Sequence, residues 1–315
     1  MANNCARSFC MQTAVPDIRI MALRRFAIAI SLLNILGRTI FGFEQPWSYV
    51  LAALATTYSL EIVFEVMLAR QQKQQPNFMG GFGKLVDFLL PAHISGLAIS
   101  MLLYSNQRVT PIIFAAAVAI CSKILLRAPL GKGYRHFLNP SNFGITVTLL
   151  LFTSVASAPA YHFTENLYGV ADLLLPLVII ISGSFLNINF TKRLPLIIGW
   201  VGGFVLQGLF AMFVTGHSLN ASLLPMSSLA FALFTFYMIT DPGTTPSRGW
   251  MQFAFGASVA AVYRLLIILH IPYTLFIALT LVCIVRGAYL HYHAWNTKRL
   301  AATQNQPNLA SGAEA

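Results

Sequence analysis

Ten apolar runs, divided by short polar or basic connections, leave this chain few ways to fold. They lie at about residues 24–41, 47–69, 85–104, 109–126, 142–157, 168–187, 194–215, 222–240, 250–270 and 272–290. Each approaches the ~20 residues that a helix needs to cross a bilayer core. The composition agrees, with 57% hydrophobic and 9% charged residues, where a soluble domain of this length carries roughly 25% charged residues. The expected fold class is therefore all-α: a polytopic membrane protein of about ten transmembrane helices, in contact with the lipid bilayer and with both termini cytoplasmic.

The basic residues test that count. With the N-terminus inside, the connections on its side hold fifteen of the 20 Lys and Arg residues, among them Arg24, Arg25, Lys84, Arg127, Lys132, Arg135, Lys192, Arg193 and Arg248. The opposite loops hold only Arg38 and Arg108, and Lys123, Arg264 and Arg286 fall within or at the ends of spans. Cytoplasmic loops collect Lys and Arg in this way. The excess over 9 Asp and Glu is thus topological, and no nucleic-acid partner is expected.

Residues 1–23 read as a basic cytoplasmic segment, with Met21 an alternative start to Met1. Residues 24–290 read as one transmembrane domain, and 291–315 as a cytoplasmic, partly disordered tail rich in Ala, Gln and Asn. Without a small-residue cleavage site, the first apolar run reads as a retained helix. Cys5, Cys10, Cys121 and Cys283 form no CxxC pair and no metal-ligand spacing. No catalytic triad, phosphate-binding loop or extramembrane domain large enough for soluble chemistry is present.

Two turns stand out. In HFLNPSNFGITVTLLLF (136–152), Asn139 is a natural helix cap, Pro140 suits the first helical position, and Gly144 permits close helix approach. In YMITDPGTTPSRGW (237–250), Asp241-Pro242 and Thr245-Pro246 repeat the device, flanked by Thr240 and Thr244. Both turns are expected to open helices on the cytoplasmic side. Such helix starts, with Lys132, Arg135 and Arg248 nearby, suit an anion such as a phosphate; alternatively they only begin two helices cleanly.

Ionisable residues in the apolar layer are few, and each needs a partner or a wet cavity. Glu61 and Glu65 share a face of the second span, as a proton or sodium site or as a helix lock beside Arg70. Asp87 and His93 do not share a face, and His93 reads as an interior hydrogen-bonding residue. Lys123 and Arg286 are expected to snorkel to the interface. Arg264, mid-span, most needs an acidic or carbonyl partner. His291 and His293 flank the end of the last span.

Taken together, SKILLRAPLGKGYRHFLNPSNFG (122–144) and YMITDPGTTPSRGWMQFAFG (237–256) resemble the membrane subunit of the Rnf and sodium-pumping NADH:quinone oxidoreductase complexes, the RnfD/NqrB family. The matching features are Lys123 at a span end, the Phe137–Gly144 entry and Thr240-Asp241-Pro242. LEIVFEVMLAR, with Glu65 and Arg70, is similar to the family's second span, and the likeness extends over about residues 45–290.

The resemblance implies a bacterial inner-membrane subunit of a redox complex with further subunits. It also implies a flavin (FMN or riboflavin) or a quinone, and cation movement coupled to electron transfer. Asn139, Pro140, Gly144, Thr240, Asp241, Thr244 and Thr245 would then serve the cofactor or its turns, and Glu61, Glu65, Lys123 and Arg264 the charge coupling. The chain departs from the family in lacking the S-G-A-T sequence that carries covalent flavin: SVASAPAYHFTENLYG holds only Thr164, and Ser182-Gly183-Ser184 lacks the Thr. Any flavin is therefore expected to be non-covalent. Arg264, eight residues after Gly256, also sits about one turn short of the family spacing. A small-solute or ion channel, or an accessory membrane protein of a biosynthetic pathway, remains open on the same fold.

Overall fold

The computed structural model describes residues 18–131, 133–158, 166–216 and 218–304. Cys5, Cys10, Lys132, Thr164 and the tail beyond 304 lie outside the described residues. In chain order the helices are α1 (Ile18–Thr39), α2 (Trp47–Gln72), α3 (Phe82–Leu102), α4 (Thr110–Leu125), α5 (Pro140–Leu151), α6 (Val170–Leu186), α7 (Leu194–Thr215), α8 (Leu219–Leu223), α9 (Leu229–Leu233), α10 (Gly249–Ile268) and α11 (Thr274–Gln304). A π-turn, Asn187–Thr191, extends α6, and another, Phe234–Met238, extends α9.

Two short antiparallel ribbons mark opposite ends of the bundle. Strand β1 (Leu103–Tyr104) pairs with β4 (Ala156–Ser157), and β2 (Arg127–Leu130) forms a hairpin with β3 (Gly133–His136). The latter is called the hairpin end below.

The molecule is a multi-pass helical membrane protein. Among the described residues, seven helices are long and apolar enough to cross a bilayer, or eight if the pair Leu219–Ser227 and Ala230–Met238, bent by 68°, counts as one span. Three of the ten expected spans differ from expectation. The eighth is that bent pair, and α4 and α5 have only 16 and 12 residues. At 1.5 Å per residue α5 is about 18 Å long, short of a core of ~30 Å. It stops early because the chain turns extended to pair β4 with β1, and it starts late because the hairpin occupies the approach.

That approach is deep. His291 on α11 lies against the Arg127 carbonyl, the Phe137 ring covers Gly287, and Asn142 donates to the Phe276 carbonyl and the Thr280 hydroxyl. Between His291 and these last partners the chain descends roughly 20 Å along α11. Helix α5 thus begins inside the bundle rather than at its surface.

Glycines fix the tightest contacts. A Cβ at Gly199 would stand 2.2 Å from the Phe253 carbonyl oxygen, and one at Gly256 2.3 Å from that of Leu196. Helices α7 and α10 therefore run backbone against backbone, as small residues permit in a membrane. Gly144 plays the same part between α5 and α4, where a Cβ would lie 2.3 Å from the Ala115 carbonyl oxygen. Buried Trp200, Phe204, Phe231, Phe234 and Tyr263 fill the centre of this core, and Trp200 donates through its indole N–H to Thr235 at 2.9 Å. A second, smaller cluster joins α1, α3, α6 and α9 through Ile30, Leu97, Met101, Ile179 and Leu233.

Candidate functional site

Between that smaller cluster and the two polar turns lies a cavity of about 1860 Å³, larger than the few hundred to 1,000 Å³ usual for small-molecule sites. One part of its wall is apolar, with Phe26 and Ile30 from α1, Ile94 and Ala98 from α3, and Leu233 and Tyr237 from the α9 side. Phe26 and Tyr237 stack there with centroids 5.2 Å apart and planes within 10°. The hairpin end is polar and basic: Lys123, Arg127, Arg135, His136 and Arg193 line it, with Asp241 as the carboxylate.

The turns meet at this wall. Asn139 accepts the Asn142 backbone N–H (3.1 Å) and the Ser141 hydroxyl (2.9 Å) on its side-chain oxygen, capping α5 as expected. Its amide nitrogen donates 3.0 Å across to the Met238 carbonyl. One side chain therefore closes the start of α5 and the end of the α9 π-turn, joining a helix end rich in N–H groups to one rich in C=O groups.

The second turn does not open a helix as expected. Asp241 uses one oxygen to accept the Gly243 N–H (3.0 Å) and the other to accept the Thr244 hydroxyl (3.1 Å), while Thr245 donates to the Asp241 carbonyl at 2.7 Å. The carboxylate is consumed within its own loop, and α10 begins only at Gly249, after Arg248. Thr245-Pro246 caps nothing either. Of the two turns only the first opens a helix, and that start is already capped.

Two arginines hold the loop. Arg193 donates to the Pro246 carbonyl and, at 3.3 Å, to that of Pro242; Arg286 donates 2.8 Å to that of Thr244. Burial pushes the Arg193 guanidinium down from its ordinary range, and Asp241 opposes the shift. Arg286 does not snorkel. Its carbonyl partner belongs to buried Thr244, and the next residue on α11, Gly287, carries the Phe137 contact.

The ionisable residues sort differently from expectation. Glu61 forms an ion pair with Lys123, which is thereby drawn into the protein instead of snorkelling. Glu65 is not part of a carboxylate pair site: it accepts the Asn77 backbone N–H at 2.8 Å and ties down the loop after α2. Asp87 forms a two-pronged bond with Arg24 at 2.7 and 2.8 Å. His93 lies between Ser31 (2.8 Å) and Tyr58 (2.6 Å), an interior hydrogen-bonding residue as expected. Since the Ser31 hydroxyl donates to the Ala27 carbonyl, the His93 Nε2–H must be the donor to Ser31. Arg264 lies about 22 Å along α10 from Gly249, away from both turns, and its buried Nε has no partner among the described residues. His291 and His293 lie within α11, which continues to Gln304.

Of the expected cofactor residues, Asn139, Pro140, Thr240 and Asp241 line the cavity, as does Lys123. Thr244 and Thr245 are buried and turned to Asp241, and Gly144 is a packing residue. Sequence reasoning missed Arg193 and Arg286 as organisers of the loop. Each looked like a boundary charge, and the carbonyls that hold them come from a distant segment. Among the described residues no group of three or more His, Cys, Asp or Glu is placed to hold a metal. No protein-family model matches the chain, and no curated protein matches it.

Proposed function

We propose that this chain is the membrane subunit of an RnfD/NqrB-like electron-transport complex of the bacterial inner membrane. In this reading it binds a flavin (FMN or riboflavin) or a quinone non-covalently and couples electron transfer to cation movement with partner subunits. The single observation that carries the reading is the meeting of the resemblance-bearing residues at one cavity. Asn139, Pro140, Thr240, Asp241 and Lys123 stand together on its polar wall, opposite an apolar chamber. A planar ring system fits the aromatic and aliphatic wall of α1, α3 and α9, and a polar or anionic tail fits the basic hairpin end.

Purification in mild detergent and a visible spectrum test this, followed by titration with FMN, riboflavin and a short-chain quinone. Bound yellow chromophore, or uptake of one of these by the colourless protein, is the expected result. A protein that takes up none of them removes the reading.

A second reading has its own support. The half-length α5 and the bent α8–α9 pair meet end to end inside the bundle, an arrangement that transporters use around a solute path. Liposome flux of a small solute, lost in Asn139→Ala and independent of any chromophore, would favour it.

A further inference from the structure

The Glu61–Lys123 ion pair is built incompletely. Lys123 lines the cavity, whereas Glu61 lies behind it, 8% exposed and not part of the wall. One carboxylate oxygen of Glu61 receives the ammonium, and the other is buried without a partner among the described residues. Buried ion pairs hold well only when the remaining lone pairs are also satisfied. On the cavity side Lys123 has basic company. Arg127 donates to the Lys123 carbonyl at 3.2 Å and pairs across the hairpin with His136, and Arg135 lines the same end.

We propose that Lys123 is the docking cation for the phosphate of an amphipathic ligand in this cavity, and that its engagement leaves Glu61 to take up a proton. In the structure the ammonium serves the carboxylate. With a phosphate at the hairpin end, Lys123 turns to it beside Arg127 and Arg135. Glu61 is then a buried carboxylate with no cation, which an apolar interior does not tolerate.

Among the described residues of α2, α3 and α4, no other cation is placed to replace the lysine. Helices α3 and α4 pack on α2. On α3, Asp87 is held by Arg24, His93 by Ser31 and Tyr58, and Lys84 is exposed at the hairpin end. On α4 the remaining titratable group is Cys121, and on α2 they are Tyr49, Tyr58, Glu65, which binds Asn77, and exposed Arg70. A proton from water therefore goes to a Glu61 oxygen, Lys123 keeps all of its protons, and each binding event carries one proton into the membrane interior. The phosphate can belong to FMN, in which case the inference rests on the proposed cofactor reading, or to a phospholipid headgroup.

The test titrates the purified full-length protein with FMN and with riboflavin, which has the same ring and no phosphate. Proton uptake is measured by calorimetry in two buffers of different ionisation heat, at about pH 8, where the phosphate is already a dianion. FMN is expected to bind roughly tenfold tighter than riboflavin, with about one proton taken up per FMN and none per riboflavin. Glu61→Gln should bind FMN without proton uptake. Because Lys123→Met alone strands a buried carboxylate and threatens folding, the double variant Glu61→Gln with Lys123→Met tests the docking role, and it should lose the preference for FMN.

FMN binding to the unaltered protein without proton uptake, or a preference that survives in the double variant, overturns the proposal. Should neither flavin bind, the cofactor reading fails and the lipid source is tested by itself, with phosphatidate against diacylglycerol of the same chains in detergent micelles. Proton uptake with phosphatidate alone supports the proposal, and its absence with both overturns it.

Discussion

The two proline turns share a signature, a small polar residue followed by proline, yet take opposite places in the chain. Asn139-Pro140 begins a helix, and Asp241-Pro242 follows the end of one. The difference lies in the side-chain chemistry. Asn carries both a donor and an acceptor, so Asn139 can cap α5 and still donate to the Met238 carbonyl. Asp offers only acceptors when ionised, so Asp241 gathers the N–H and O–H groups of its own loop. The surplus carbonyls of that loop then fall to Arg193 and Arg286. The signature marks a change in chain direction, and the surroundings decide whether a helix starts there.

The sharpest way to break this comparison is to remove the arginine. Arg193→Ala strips two charge-assisted bonds from the part-buried carbonyls of Pro242 and Pro246 and should cost roughly 3 kcal/mol, read as a fall in thermal midpoint in detergent. If it costs no more than changing Asp241, the loop is self-supporting and the contrast fails. Arg286→Ala, which serves one carbonyl, should cost roughly 2 kcal/mol.

Asn139 tests the other turn. Asn139→Ala loses both a cap and a buried interhelical bond, roughly 2 kcal/mol together, whereas Asn139→Ser keeps a capping oxygen and loses only the donor to Met238, about 1 kcal/mol. If the second variant costs nothing, the bond to Met238 contributes nothing; equal costs for the two variants would mean that the cap contributes nothing. The smallest effect belongs to Asp241→Asn, about 0.5 kcal/mol, because an amide oxygen still accepts the Gly243 N–H; measured by the same unfolding experiment, a larger loss would show that the charge itself matters to Arg193.

The helices were largely legible in the sequence because hydrophobic runs report burial or lipid contact directly. Lengths were less so. Nothing local shows that Ala156-Ser157 will leave helix to pair with Leu103-Tyr104, since the ribbon forms between segments some fifty residues apart. The eighth run, 222–240, carries Pro225 and Ser227-Ser228 where its 68° bend falls, a break signal outweighed by the apolar residues on either side.

The candidate site was legible in part. Asn139 and Gly144 act locally, one through its own helix and the other through having no side chain, so their roles could be read from neighbours. The partnership of Glu61 with Lys123, at a separation of 62 residues, could not, and without it Lys123 resembled any basic residue at a span end. Arg193 shows the same limit from the other side: its partners, Pro242 and Pro246, are carbonyls, and main-chain oxygens leave no trace in a sequence.

The late start of α5 has a consequence for assembly. The buried amide of Asn142 waits for Phe276 and Thr280, the latter 138 residues further along the chain. At roughly 5–20 residues per second of synthesis, that is about 7 to 28 s during which a short helix and its hairpin must stand beside α4 with a polar group unanswered. A chaperone or insertase that shelters that pair during the interval, and a ribosome stalled before residue 274 as the means of trapping it, are what this delay calls for.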